Sequence, residues 1–271
     1  ICLLVFSGMS LNVIADADNR SNGNIKIIEP RGLSAKGSAH LELYFLFSTD
    51  HKNRVKDESV YLGQFVNRIN DIFGTRKNIL HVTFTFLQAS EWNPGKQAET
   101  ATRSLKAEAL KKLLKKQVTK VEKKWKNTHP HEPISAIIFV TTREIRSGTA
   151  NLPTGISGKL GGICVPDEKV AAVTDDGSYS GVRAAAVQLS LLMGAVYDGQ
   201  RPPRTDLVRG GDGAAHCKPE EGYLMGHWGN VERSFTLSTC TPHQHIIVLR
   251  HRGPECYGTS EEKAKMLKTT K

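Results

Sequence analysis

The 271-residue sequence lacks several features that would assign it to a class of proteins at once. A transmembrane helix needs about 20 apolar residues, and the polar Ser7, Ser10 and Asn12 interrupt the longest apolar stretch. None of the five cysteines forms a CxxC pair, which argues against a structural zinc knuckle. Internal repeats, a Pro/Gly/Ser-rich linker and nucleic-acid-binding motifs are also missing. We therefore expect one domain with irregular ends, no transmembrane segment and no nucleic-acid partner.

The first 17 residues predict a signal peptide whose start is missing. The stretch from Ile1 to Ala17 is uncharged until Asp16 and ends in Ala15-Asp16-Ala17, the small-x-small pattern of a signal-peptidase site. The alternative is a buried N-terminal strand or helix. Asn19-Arg20-Ser21 is a glycosylation sequon and is consistent with export. The prediction is a secreted, extracellular protein with a short lead-in over 18–39.

Removal of the signal would leave an even number of cysteines: Cys164, Cys217, Cys240 and Cys256. In an exported chain this predicts two disulfides, with three possible pairings. The formal net charge of +10 favours anionic partners. For an exported protein these are sulfated glycans, acidic protein surfaces and anionic lipid.

The hydrophobic periodicity predicts strands that alternate with helices. Strands are predicted at 40–48, 79–87, 134–141 and 169–174, and helices at 60–73, 104–126, 180–197 and 241–249. This alternation is typical of an α/β sandwich. The tail from 261 to 271 is polar and basic, which predicts disorder.

The helix predicted at 104–126 has an apolar stripe and an opposite face that is mostly lysine. Nine lysines stand against Glu108 and Glu122. The face is either ordinary solvated surface or a site for a heparin-like polysaccharide or an acidic protein. The candidate polyanion-binding residues within it are Lys111, Lys112, Lys115 and Lys116.

The segment from Ser180 to Gly199, SGVRAAAVQLSLLMGAVYDG, resembles the active-site helix of metzincin zinc metalloproteases. The pattern of that helix is H-E-x-x-H-x-x-G-x-x-H-D. Gly194 stands at its turning glycine, and Asp198-Gly199 follows as in the reprolysin (adamalysin) branch. The flanking matches are Gly161-Gly162-Ile163-Cys164, Val170 to Val173, Asp175, Cys217, Gly222 to Met225, Phe235, Ser238, Cys240 and Cys256. The resemblance runs from His40 to Tyr257 and points to the metalloproteases of venoms and blood-feeding arthropod saliva.

The resemblance implies a domain over 40–258, followed by a basic disordered tail over 259–271. Its expected fold is a mixed, mostly parallel five-stranded sheet with flanking helices and a small C-terminal subdomain. Met225 would form the Met-turn, and 155–162 would be the edge strand beside the substrate cleft. The implied disulfides are Cys164–Cys256 and Cys217–Cys240.

The sequence departs from the family at every position that carries the chemistry. A catalytic zinc needs three protein ligands and an open position for water. Val187, Leu191 and Tyr197 stand where the resemblance implies three histidines. Gln188 stands at the general-base position, and its neutral amide cannot accept a proton from water. These departures predict no zinc cofactor and no catalysis.

Three functional hypotheses follow. The first is a non-catalytic, monomeric binding or inhibitory protein whose partner is an extracellular host or matrix protein. The second is an active zinc endopeptidase with an unrecognised ligand set, for which His129 and His131, His243 and His245, or His216 and His227 are candidates by composition. The third is a functionless degenerate copy.

Overall fold

A five-stranded sheet lies at the centre of the structure, a computed structural model that describes residues 37–147, 155–227, 231–259 and 261–263. The strands are β1 (Ser38–Phe47), β2 (His81–Glu91), β3 (Leu105–Lys106), β4 (Ala136–Thr141), β5 (Ile145–Arg146), β6 (Gly155–Ser157) and β7 (Val170–Thr174). The helices are α1 (Thr49–Lys52), α2 (Glu58–Gly74), α3 (Ala107–Thr128), α4 (Val182–Leu192), α5 (Cys240–Arg252) and α6 (Pro254–Tyr257). Short 3₁₀ helices cover Lys96–Ala98, Pro219–Glu221 and Arg233–Phe235.

The strand order in the sheet is β2-β1-β4-β7-β6. The first four strands are parallel, and β6 pairs antiparallel with β7 at the edge. A separate parallel pair joins β3 to β5. This topology confirms the predicted α/β class with a mixed, mostly parallel five-stranded sheet.

Helices cover both faces of this sheet, so the central strands are apolar on both sides. Leu41, Leu43 and Phe45 of β1 pack with α2 and α4, whereas Tyr44 and Leu46 pack with α3. This division follows the alternation of side chains along a strand. Helix α3 therefore lies on the face of the sheet opposite to α4.

Two elements are shorter by at least five residues than the sequence predicted. The helix predicted at 180–197 ends at Leu192, because the chain turns at Gly194. The edge strand expected over 155–162 comprises only Gly155–Ser157, and turns follow it. The helix predicted at 104–126 is α3, with Leu105–Lys106 forming β3 instead of its first turn.

Two disulfides tie the C-terminal region to the rest of the domain. Cys164–Cys256 joins the loop before β7 to α6. Cys217–Cys240 joins the loop between α4 and α5 to the first residue of α5. Both pairings are those that the family resemblance implied, which confirms that prediction.

The tail differs from the expectation in its first described residues. Lys263 is buried, and its Nζ donates to Glu42 Oε2 on β1 at 2.5 Å and to the His40 carbonyl at 3.1 Å. Lys263 is therefore packed against the domain, whereas Glu261 and Glu262 are exposed. The predicted signal peptide, the sequon and residues 264–271 lie outside the described residues.

Across the described ranges, no helix is both long enough and apolar enough to cross a bilayer.

Candidate functional site

Helix α4 ends in a turn that requires glycine. Gly194 has φ +87°, in the left-handed region. Its N–H donates to the Leu191 carbonyl and the Ala195 N–H donates to the Ser190 carbonyl, both at 2.9 Å, which is the Schellman pattern of a helix end. A Cβ at this position would lie 2.2 Å from Val248 Cγ2 on α5. The chain therefore turns sharply at the glycine that the resemblance singled out.

One face of α4 carries Arg183, Val187 and Leu191 at successive intervals of four residues. Val187 is buried, and Leu191 is partly buried against the same core cluster. Tyr197, beyond the turn, packs against this cluster as well. The three residues at the expected ligand positions thus contribute to one largely hydrocarbon core.

The turn that contains Met225 is tied to the chain that follows α4. Met225 is fully buried, and its carbonyl accepts a hydrogen bond from the Asp198 N–H at 2.9 Å. The Leu224 N–H donates to the Thr236 carbonyl at 2.8 Å and fixes the other side of the turn. The predicted Met-turn therefore lies against the residue next to Tyr197.

Arg183 places a positive charge at this junction. Its Nη2 donates to the Leu224 carbonyl at 3.3 Å, beside Met225. Burial raises the pKa of Tyr197, and the nearby Arg183 charge acts in the opposite direction. Burial in turn lowers the pKa of Arg183. Sequence reasoning missed this residue, although its position four residues before Val187 on the helix could have identified it.

Gln188 lies where α4 approaches the edge strand. Its side chain is buried, and a Cβ added at Gly155 of β6 would come within 3.2 Å of Gln188 Cγ. The loop after β6 also caps α4, since Gly161 N–H and Ile163 N–H donate to the Leu191 and Leu192 carbonyls. The edge strand and its following loop therefore pack directly against α4.

The residues at the expected ligand positions do not fit zinc. Val187 and Leu191 carry no donor atom, and zinc in proteins is held by sulfur, imidazole nitrogen or carboxylate oxygen. Tyr197 offers a phenol that burial keeps protonated, and the Arg183 cation would repel a second cation there. Elsewhere in the described residues, no group of three or more His, Cys, Asp or Glu side chains is arranged to hold a metal.

The histidines considered as alternative ligands belong to different environments. His129 stacks on Trp125 with ring centroids 3.8 Å apart. On α5, His243 is exposed whereas His245 is fully buried, because they lie on different faces of the helix. His216 and His227 are both exposed. None of them belongs to a potential metal-binding group within the described ranges.

A buried charged cluster holds the beginning of α4, and the sequence reasoning did not anticipate it. His51 Nδ1 lies 2.7 Å from Glu58 Oε1, and His51 Nε2 lies 3.1 Å from Asp175 Oδ1. Tyr61 Oη donates to Asp175 Oδ1 at 2.6 Å, and the Gly181 N–H donates to Asp175 Oδ2 at 2.8 Å. This cluster connects α1 and α2 to the turn between β7 and α4.

The candidate polyanion-binding lysines fall into two groups. Lys111 pairs with Glu108 at 3.2 Å and Lys115 pairs with Glu168 at 2.7 Å, and both side chains are only about 30% exposed. Lys112 and Lys116 are exposed, and the described residues record no ion pair for them. The four residues therefore do not form one free cationic surface.

The chain is similar in sequence to metalloproteinases over little more than a third of its length. It is 33% identical over 105 residues to "A disintegrin and metalloproteinase with thrombospondin motifs like" from Bombyx mori. The matched region covers 36% of this chain and 15% of that protein. It is 32% identical over 110 residues to "Venom metalloproteinase antarease-like TserMP_B" from Tityus serrulatus, covering 39% and 46%. The chain thus spans less than half of these relatives. No protein-family model matches it.

Solved structures of metallopeptidases resemble the chain at low identity. Metalloproteinase-II from Bacteroides fragilis has a TM-score of 0.46 and 14% identity, covering 84% of this chain and 59% of that one. Archaemetzincin from Methanopyrus kandleri has a TM-score of 0.42 and 13% identity, covering 80% and 97%. Values this low support no inference about activity.

Proposed function

We propose that the protein is a secreted, catalytically inactive homologue of zinc metalloproteases that binds an extracellular protein along the edge strand β6, where the resemblance implies the substrate cleft. The observation that carries this proposal is the composition of one face of α4. That face presents a guanidinium and two aliphatic side chains, Arg183, Val187 and Leu191. Without metal ligands there is no Lewis acid and no bound water of lowered pKa.

The edge strand supports a binding function that needs no catalysis. In the antiparallel ladder between β6 and β7, Ile156 lies opposite Ala172, and Gly158 N–H donates to the Val170 carbonyl. Hydrogen-bonded and non-hydrogen-bonded pairs alternate along such a ladder. The N–H of Ser157 therefore points away from β7, where an extended peptide can add as a further strand.

The first experiment tests for a resident metal. Elemental analysis of the purified protein should find far less than one zinc per chain. Its melting temperature should not change with added zinc or with a chelator. This measurement is sensitive, because a ligand in hundredfold excess over Kd adds about 2.7 kcal/mol to the free energy of unfolding. One tightly held zinc per chain, or chelator-sensitive cleavage of casein, would support the zinc endopeptidase hypothesis instead.

The second experiment restores the missing ligands. The variant Val187→His, Gln188→Glu, Leu191→His and Tyr197→His should bind zinc if α4 occupies the active-site position. Adding Arg183→Leu should tighten zinc binding further, since the opposing guanidinium is gone. The matched control is Arg183→Leu alone, which should bind none. A folded fivefold variant without zinc affinity would contradict the alignment of α4 with the protease helix.

The third experiment tests the cleft. Proline at position 157 removes the outward N–H that a strand-adding peptide would use, whereas alanine keeps it. We expect Ser157→Pro to lose proteins captured from plasma or extracellular matrix and Ser157→Ala to retain them. Equal capture by both variants would place the protein-binding surface outside the β6 edge.

A further inference from the structure

One face of α3 carries a row of exposed lysines at intervals of three or four residues, here called the lysine stripe. Its members are Lys112, Lys116, Lys120, Lys123 and Lys126. This spacing places them on one side of the helix. At 1.5 Å per residue the stripe is about 21 Å long.

The stripe is distinct from the lysines of α3 that have carboxylate partners. Lys111 and Lys115 have carboxylate partners, and Glu122, the second acidic residue of the helix, pairs with Lys169 at 2.5 Å. Within the described residues, the five stripe lysines have no recorded ion pair. The acidic residue beside the row is Asp167, which accepts a hydrogen bond from Thr119 at 3.0 Å.

The position of α3 argues against two modes of polyanion binding, namely insertion into a lipid surface and stacking on nucleic-acid bases. Its apolar residues, from Leu110 to Trp125, are buried against the sheet. The helix therefore has no free apolar face to insert into a lipid surface. Trp125 is 8% exposed and already stacked on His129, so it offers no platform for a nucleic-acid base.

The disulfides indicate the environment in which the protein would bind a polyanion. Cys164–Cys256 and Cys217–Cys240 are bonds typical of oxidising, extracytoplasmic environments. In such environments sulfated polysaccharides are the linear polyanions that match a straight row of ammonium groups.

We propose that the lysine stripe binds a linear sulfated polysaccharide along the axis of α3. The stripe lies on α3, across the sheet from α4, so this binding is independent of the function proposed above. Sulfate groups spaced along the polysaccharide would also relieve the repulsion between lysines at positions i and i+4.

The test uses heparin, at several salt concentrations, with two fourfold variants of equal charge. The stripe variant is Lys112→Gln, Lys116→Gln, Lys120→Gln and Lys123→Gln. The control variant is Lys56→Gln, Lys77→Gln, Lys96→Gln and Lys218→Gln, at exposed positions elsewhere. We expect the stripe variant to lose about tenfold or more in affinity and the control to stay within about twofold. Equal losses in both variants would reduce the effect to net charge and overturn the proposal.

Further measurements keep the result specific. Replacing the same four stripe residues by arginine should preserve heparin binding, and the double variant Lys111→Gln and Lys115→Gln should affect it less than the stripe variant does. Matching melting temperatures would show that the glutamine variants fold.

Equal affinity of the wild type for desulfated heparin, for duplex DNA or for anionic phospholipid vesicles would overturn the assignment to a sulfated polysaccharide. Retained capture of proteins at the cleft by the stripe variant would confirm that the two surfaces are separate.

Discussion

His51 and His245 are both fully buried, yet their surroundings are opposite. His51 lies between the carboxylates of Glu58 and Asp175, within hydrogen-bond distance of each. His245 stacks on Phe73 with centroids 5.7 Å apart, and neither of its ring nitrogens has a hydrogen-bond partner in the described part of the chain. Burial is therefore the same for the two residues, and the difference between them lies in their partners.

The two environments move the pKa in opposite directions. Burial opposes the charged form of His51, but the hydrogen bonds and charges of Asp175 and Glu58 outweigh it and raise the pKa to about 9. For His245 burial acts alone and lowers the pKa to about 3. His51 is thus a cation that holds the turn before α4, whereas His245 is a neutral ring that fills space in the core.

The largest expected effect comes from removing the carboxylate beside His51. Asp175→Ala would leave His51, the Tyr61 hydroxyl and two backbone N–H groups without their acceptor. Breaking a buried ion pair from one side typically costs about 3–5 kcal/mol in the free energy of unfolding. Urea denaturation measures this loss.

The control is the neighbouring, exposed Asp176, which accepts hydrogen bonds from the local Ser178 and Ser180. Asp176→Ala should cost about 1 kcal/mol or less. Similar losses at both positions would show that the cluster stabilises the fold no more than an ordinary turn does.

The regular elements were predictable because they follow apolar periodicity. The apolar stripe of α3 and the continuous apolar run of β4 are both recognisable in the sequence. The edge strand β6 is only three residues long and carries no alternation, so its limits depended on the resemblance and were too wide. The end of α4 needed the geometry at Gly194, since the apolar pattern continues past it.

The sequence identified the residues at the expected ligand positions, but not the groups that surround them. Val187, Leu191 and Tyr197 stand out only against the family pattern. The helical spacing could have identified Arg183, but its contact with Leu224 could not be inferred, because the two residues are 41 positions apart. The same holds for His51 and Asp175, which are 124 positions apart. Long-range contacts of this kind leave no local pattern.

The second expected effect is a dependence of stability on pH that has opposite signs for the two histidines. For His51 the folded pKa is raised, so its stabilisation is complete below about pH 6.5, the unfolded pKa, and is lost as the pH rises through about 9. For His245 the folded pKa is lowered, so the unfolded state binds more protons and stability falls as the pH decreases from 6.5 towards 3. The free energy of unfolding should therefore be highest near neutral pH.

The magnitude follows from about 1.4 kcal/mol for each unit of pKa shift. The alkaline loss due to His51 should be roughly 3 kcal/mol at most, and the acid loss due to His245 about 2 kcal/mol between pH 6.5 and 5. Urea denaturation in a series of buffers measures both. A flat profile above pH 7 would contradict the protonated state of His51.

The smallest expected effect tests whether the buried His245 ring lacks a hydrogen-bond partner. A buried polar group without a hydrogen bond can be replaced by an apolar group of similar size without loss. His245→Leu should therefore raise the free energy of unfolding at neutral pH by about 1 kcal/mol and should weaken its fall in acid. The matched control is His243→Leu, at an exposed position on the same helix, which should change stability by less than about 0.5 kcal/mol. If His245→Leu instead destabilises the protein and leaves the acid dependence unchanged, the ring donates or accepts a hydrogen bond, and the two buried histidines are less different than their surroundings indicate.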